Sequence, residues 1–341
     1  MAPCTEPELA LAVTRCAADH VVVNPTASSR LDWALFILLG FLWGSSYLFI
    51  KIGVDAGLQP FTLVSLRLLI GLGLLAVVVG LARESLPRDP KMYGHLVVLG
   101  LFSVALPFTL ITWAEQSVDS SLAAVLTGAV PLFVIPVAAL MLKDERVSVN
   151  KLVGIGIGLV GVAIVVGFDP ASLAGNGLIA QLALIGASAS YAVGAVYARK
   201  HVHGLRPMIA ALLQVGFALL MVAIPAFALE GANGLSIQPD ALFAVIWLGL
   251  LGSGLAYLVF FRLLGRWGAT RTSLVAYLLP IWGIVLGAMV LSEPIDARLM
   301  VGTALVIGGI ALVNWRSVFR PMFGRRRTAG VPKADNERAT A

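Results

Sequence analysis

Ten apolar stretches of about 20 residues each, separated by short polar turns, leave this chain few ways to fold. They cover residues 33–51, 61–82, 94–114, 121–142, 152–168, 178–199, 207–229, 241–263, 270–291 and 299–315. A helix of that length matches the hydrocarbon thickness of a bilayer, and lipid tolerates no unpaired backbone. Each stretch is therefore read as a transmembrane helix. The connections carry turn-forming residues, such as Asp169-Pro170 and Gly231-Ala232-Asn233-Gly234, and none is long enough for a soluble domain. Composition points the same way. The 341 residues are 59% hydrophobic and 12% charged, against roughly 45–50% and 25% in soluble domains. Soluble, disordered and collagenous classes are excluded.

Residues 1–32 contain Glu6, Glu8 and Asp19 but no continuous apolar core, so they read as a disordered cytoplasmic arm and not as a signal peptide. Cys4 and Cys16 both precede the apolar region and define neither a disulfide framework nor a metal site.

Basic residues set the orientation. The second, fourth, sixth and eighth loops hold Arg83, Arg88, Lys91; Lys143, Arg146, Lys151; Arg199, Lys200, Arg206; and Arg262, Arg266, Arg271. The loops on the other side hold only Lys51 and Arg298. Twelve against two places both termini in the cytoplasm of a multi-pass cell-membrane protein, as in a bacterial inner membrane. The +6 net charge and the basic tail, 317–341 with Arg325-Arg326-Arg327, are orientation signals rather than a nucleic-acid site.

The two halves align at an offset of 147–149 residues: Pro60 with Pro207, Gly100 with Gly249, Pro131 with Pro280, Glu145 with Glu293, and Gly161 with Gly309. Each copy holds five spans. An odd number means that the copies insert in opposite directions, as the loop charges also require. The expected fold is all-α, ten transmembrane helices in two inverted five-helix repeats (33–168 and 177–316), an arrangement that secondary transporters use.

Trp43-Gly44-Ser45-Ser46 with Lys51 and Leu66-Arg67-Leu68, then Ala123 through Pro131 to Asp144-Glu145, then the glycine-rich Gly154 to Gly167, resemble an EamA-type domain. Pro280, Glu293 and Gly302 to Asn314 resemble it a second time. The resemblance, to the EamA-like transporter family in the ten-helix branch of the drug/metabolite transporter superfamily, spans about residues 33–316. It implies a helical bundle with a central cavity that moves small metabolites or drugs, often outward. Four-helix multidrug relatives couple to protons through a Glu in their first helix. Residues 33–51 contain no acid, so that mechanism does not carry over.

An ionisable side chain within a span is a candidate for function. Arg67 lies six residues into the second run, about 9 Å below its end. Two readings stay open: its stem snorkels to the interface, or its fixed cationic fork faces a cavity and holds a carboxylate or phosphate. Its repeat mate is Gln214. Trp43, Tyr191, Tyr257 and Trp282 lie at suitable depth to line a cavity, though helix packing explains each of them equally well. Pro131 and Pro280 each remove a mid-helix donor and are candidate hinges. Glu115, Glu145 and Glu293 lie at span ends, where carboxylates cap or hydrate; Glu115 has no acidic repeat mate and is the one candidate for ion coupling.

Gly156-x-Gly158-x-x-Gly161 matches a dinucleotide fingerprint but has no preceding strand, and the histidines are read as loop or arm residues. No cofactor, no metal and no enzyme chemistry is expected. The function read from the sequence is secondary transport, most simply export, of an amino acid, organic acid or drug-like compound. The partners are that small molecule, the lipid bilayer and, as a further candidate, a second copy of the chain. A non-transporting membrane scaffold or receptor is the alternative.

Overall fold

A computed structural model describes residues 29–142, 148–167, 177–202 and 204–314. The N-terminal arm to residue 28, the basic tail, Glu145, His203 and Trp315 lie outside the described residues. No strand occurs among the described residues. The helices are α1 Arg30–Asp55, α2 Pro60–Leu81, α3 Pro90–Ala114, α4 Ser120–Met141, α5 Val149–Val166, α6 Gly177–His201, α7 Pro207–Gly234, α8 Pro239–Gly268, α9 Ser273–Leu291 and α10 Ala297–Val313. Nine are long and apolar enough to cross a membrane, and α10 is a shorter apolar helix of the 10–17-residue class.

Local chemistry sets the starts. Pro60, Pro90, Pro207 and Pro239 open α2, α3, α7 and α8, where a missing N–H leaves nothing unpaired. Ser29 and Asp32 form a reciprocal capping box on α1, with bonds of 3.2 and 3.0 Å. Asp296 accepts from the Leu299 N–H at 2.7 Å to start α10. Two histidines read as loop residues lie in helices, which corrects that reading: His95 is within α3, which starts at Pro90, and His201 closes α6 beyond its apolar stretch.

The packing has the symmetry of the repeat. α4 packs on α9, α5 on α10 and α2 on α7, each helix on its own repeat mate. α1 meets α9 as α6 meets α4; α3 meets α6 as α8 meets α1; and α2 meets α8 as α7 meets α3. Small residues allow the close crossings. A Cβ on Gly154 would stand 2.7 Å from the Gly309 carbonyl, and one on Gly161 2.7 Å from that of Gly302. Large apolar side chains such as Leu81, Leu140, Phe227 and Met289 stay exposed, as a lipid-facing surface requires.

Both mid-span prolines sit at breaks. α4 interrupts its helix at Ala129, just before Pro131, and α9 changes from a tight 3₁₀ turn (Ser273–Tyr277) to α-helix before Pro280. The Ser188 hydroxyl of α6 lies 2.9 Å from the Leu126 carbonyl and 3.3 Å from that of Thr127, the acceptors beside the missing Pro131 donor. A second irregularity was invisible in the sequence pattern. α3 and α8 each widen into a π-helical stretch, Leu101–Ala105 and Trp247–Leu255, at equivalent places in the two repeats.

Candidate functional site

Arg67 is 3% exposed and does not reach for the interface. Its Nε and Nη2 lie 3.3 and 3.2 Å from the Ser253 hydroxyl oxygen, and its guanidinium carbon stands 4.3 Å from the centre of the Phe108 ring. The π-helical stretch of α8 delivers Ser253, and small residues let α8 come close enough. A Cβ on Gly71 would stand 2.8 Å from the Ser253 Cβ, and one on Gly249 2.6 Å from the Ile70 Cβ. Among the described residues no carboxylate comes within ion-pair distance of Arg67. A cation in a low-dielectric interior with one neutral hydroxyl partner and one ring face is left short of countercharge.

Tyr191, Tyr257, Tyr47 and Glu115 are the titratable groups within electrostatic range of this guanidinium. Tyr257 also meets Trp43 edge-on, with ring centres 6.4 Å apart, and Trp43 lies against Phe260 at 5.3 Å. The fold thus joins Arg67, Tyr191, Tyr257 and Trp43 into one neighbourhood. Trp282 stands apart from it, edge-on to Phe41 at 5.2 Å and seated over Gly44. Gln214 is buried in α7 but makes no hydrogen bond to Arg67; its backbone carbonyl faces Gly100 of α3, where a Cβ would stand 2.7 Å away.

Sequence reasoning missed Ser253 and Tyr47. Ser253 is flanked by Gly252 and Gly254 in mid-span, a polar residue between two small ones, which is a usable signal. Tyr47 is buried, with its hydroxyl 2.7 Å from Thr127 Oγ1, and Thr127 Oγ1 is 2.6 Å from the Ala123 carbonyl. Thr127 has one proton for the carbonyl, so Tyr47 donates to Thr127.

Carboxylates tie the halves together at the face opposite the basic loops. Glu293, between α9 and α10, accepts from the Ser120 N–H and hydroxyl at 2.7 Å each and from the Ser121 N–H at 2.9 Å. Glu230 of α7 accepts from the Phe61 and Thr62 N–H groups at 2.9 and 2.7 Å. Both therefore cap helix N-termini of the first repeat. A pocket of about 360 Å³ opens at this face between α2 and α3, beside Gln59, Trp113, Gln116 and Glu230, away from Arg67.

Glu115, one residue beyond α3, neither caps a helix end nor reaches solvent. It is fully buried, and neither carboxylate oxygen has a hydrogen-bond partner. Lys51 donates at 3.1 Å to its backbone carbonyl and pairs at 3.0 Å with Asp55. Burial, then the nearby Glu293, holds the Glu115 carboxyl well above the usual carboxylate range, with Lys51 and Arg67 pulling against them. Asp119, in the same loop, is raised by burial and Glu293 as well.

At the basic end, Arg206 pairs with Glu84 at 3.2 Å and Arg266 with Asp32 at 3.1 Å. His95 Nδ1 lies 2.8 Å from the Tyr197 hydroxyl. No metal-binding group of three or more His, Cys, Asp or Glu occurs among the described residues.

The sequence profile of the EamA-like transporter family matches this chain twice, over residues 32–167 and 178–315. A probable amino-acid metabolite efflux pump of Salmonella typhimurium is 27% identical over 315 residues, covering 89% of this chain and 99% of the relative. A probable terminal-alkyne amino-acid exporter of Streptantibioticus cattleyicolor is 26% identical over 327 residues, covering 89% and 98%. A solved crystal structure superposes with a TM-score of 0.61 over 85% of this chain and 99% of the other at 20% identity, which shows a shared fold.

Proposed function

The chain belongs to the EamA-like transporter family, and from that premise we propose that it exports a small carboxylate-bearing metabolite, an amino acid or related organic acid, with Arg67 as the anchor for the anionic group. One observation carries this reading. Arg67 is a buried cation inside a span, with a serine hydroxyl and an aromatic face but no acidic partner in reach. A carboxylate arriving from solution supplies the missing charge and accepts from the remaining N–H groups of a fork built for two-point contact. Tyr191, Tyr257 and Trp43 supply flat apolar faces and hydroxyl or indole donors around the rest of the cargo. Gln214 and Trp282 line the path at other depths. Two relatives named for amino-acid export support the direction and the cargo class.

The basic loops lie in the cytoplasm, with both termini, and the Glu230 and Glu293 caps lie at the outer face. The breaks at Pro131 and Pro280 serve as hinges, because a helix already interrupted there bends without losing further hydrogen bonds. Substrate alternates between the two faces as the inverted repeats exchange conformations.

The test is counterflow of a panel of amino and organic acids in inside-out and right-side-out vesicles, with Arg67→Ala alongside. Saturable flux that Arg67→Ala abolishes for acids supports the reading. Flux of acids that persists at wild-type rate in Arg67→Ala overturns the site, and no flux for any acid overturns the cargo class. Reporter fusions at the C-terminus check the orientation: a reporter that works only after export should stay silent.

A further inference from the structure

We propose that Glu115 is a proton-binding site built into the outer gate: its carboxyl holds a proton while the outer ends of the two repeats are tied together, and releases it to outside water when they part. This rests on the transporter reading for its consequence, that opening to the outside is linked to proton release.

The geometry is specific. Glu115 is fully buried at a loop, and both of its carboxylate oxygens lack any donor. Four other described acids at this face have one: Glu293 holds three donors on α4, Glu230 holds the start of α2, Asp296 caps α10 and Asp55 pairs with Lys51. A buried carboxylate without donors or countercharge is strongly disfavoured, whereas the neutral acid is tolerated. The nearest cation is already committed, because Lys51 donates to the Glu115 backbone carbonyl and to Asp55.

The charged and titratable neighbours can be named element by element. α1 presents Lys51, Asp55 and Tyr47; α2 presents Arg67; the α3–α4 loop adds Asp119; and the α9–α10 connection adds Glu293. Burial, and then Glu293, favour the protonated form and outweigh the two cations. Five residues along the same loop, Glu293 clamps Ser120 and Ser121 across the repeat interface, and Gly287 leaves room for that clamp. Parting the clamp opens the buried start of α4, and Glu115 beside it, to water. Hydration then stabilises the carboxylate and the proton leaves. Reclosure requires a proton from the outside. A chain that uses a proton in this way takes it up at the outer face, where an export cycle delivers its cargo.

The experiment uses the full chain in lipid nanodiscs and reads pH-difference infrared spectra of wild type, Glu115→Gln and Glu115→Asp. The expected result is a protonated-carboxyl stretch at near-neutral pH in wild type that disappears in Glu115→Gln and shifts in Glu115→Asp. Identical carboxyl bands in wild type and Glu115→Gln across mildly acid to mildly alkaline pH overturn the proposal. The second arm labels Ala123→Cys, in a background with Cys4 and Cys16 replaced by Ser, with a membrane-impermeant maleimide. Rates are normalised to Ser117→Cys. Labelling should rise with pH when Glu115 is present and lose that rise in Glu115→Gln; the same rise in both overturns the link to opening. Should Glu115→Gln not fold, Glu115→Asp alone decides, because an unshifted band and labelling midpoint overturn the proposal. Neither arm needs a cargo, so a carboxyl band without any transport refutes the exporter reading and leaves this one standing.

Discussion

Gly128 of α4 lies directly against Pro280 of α9: a Cβ on Gly128 would stand 2.7 Å from the proline Cγ. The contact joins the break in one repeat to the proline of the other, where the two mate helices cross. One residue type makes the irregularity, and the other makes the space that accommodates it.

Gly128→Val should therefore force α4 and α9 apart. Overpacking of a close crossing costs about 1–3 kcal/mol, and the variant should melt several degrees below wild type in detergent. Gly73→Ala, where an added Cβ meets nothing within 4 Å, is the control and should melt no lower than wild type, since alanine favours a helix interior over glycine.

The Arg67–Ser253 contact makes a graded prediction. Ser253→Ala leaves the charge but removes its one hydroxyl partner, so affinity for an acidic cargo should change by about 1 kcal/mol, roughly fivefold. Arg67→Lys should lose more because the ammonium has no fork, and Arg67→Ala most of all. Binding isotherms of the purified protein with the carboxylate panel check the order.

Ser188→Ala should destabilise the protein through α4. The Leu126 and Thr127 carbonyls beside Pro131 would lose their hydroxyl donor and keep only the Ala129 N–H, and a lost hydrogen bond of this kind costs about 1 kcal/mol. Adding Pro131→Ala, which restores a backbone donor, should recover part of the loss in the same melting assay.

Glu115 makes stability fall as pH rises. Its native carboxyl holds a proton that the unfolded chain has already released, so the native state binds more protons throughout the range from ordinary carboxylate values up to its raised one. Stability is greatest below that range, declines across it and levels off above it. Glu115→Gln should flatten most of the decline. Asp119, also raised, should leave a smaller slope of the same sign. Melting temperature against pH for both proteins measures this.

Several parts of the fold follow from local composition alone. Hydropathy over about 20 residues and the ban on unpaired backbone in lipid make the ten helices, whatever their neighbours do. The repeat is legible because Pro131 and Pro280 or Gly100 and Gly249 recur at one offset, and Arg67 stands out as the cation inside a span. Helix ends were less clear. His95 lies in a helix because α3 starts at Pro90, ahead of its apolar run, and His201 because α6 continues past the last apolar residue of its own.

What the tertiary structure alone decided is which side chains meet. Arg67 finds Ser253 across 186 positions, and Ser120 finds Glu293 across 173. The first depends on the π-helical stretch that carries Ser253, the second on where α9 ends over the start of α4, and the hydrophobic period is blind to both. Glu115 and Glu293 looked alike as acids at span ends. Packing satisfied one with three donors and buried the other with none, because whether a polar group is solvated is a property of its surroundings, not of its residue type.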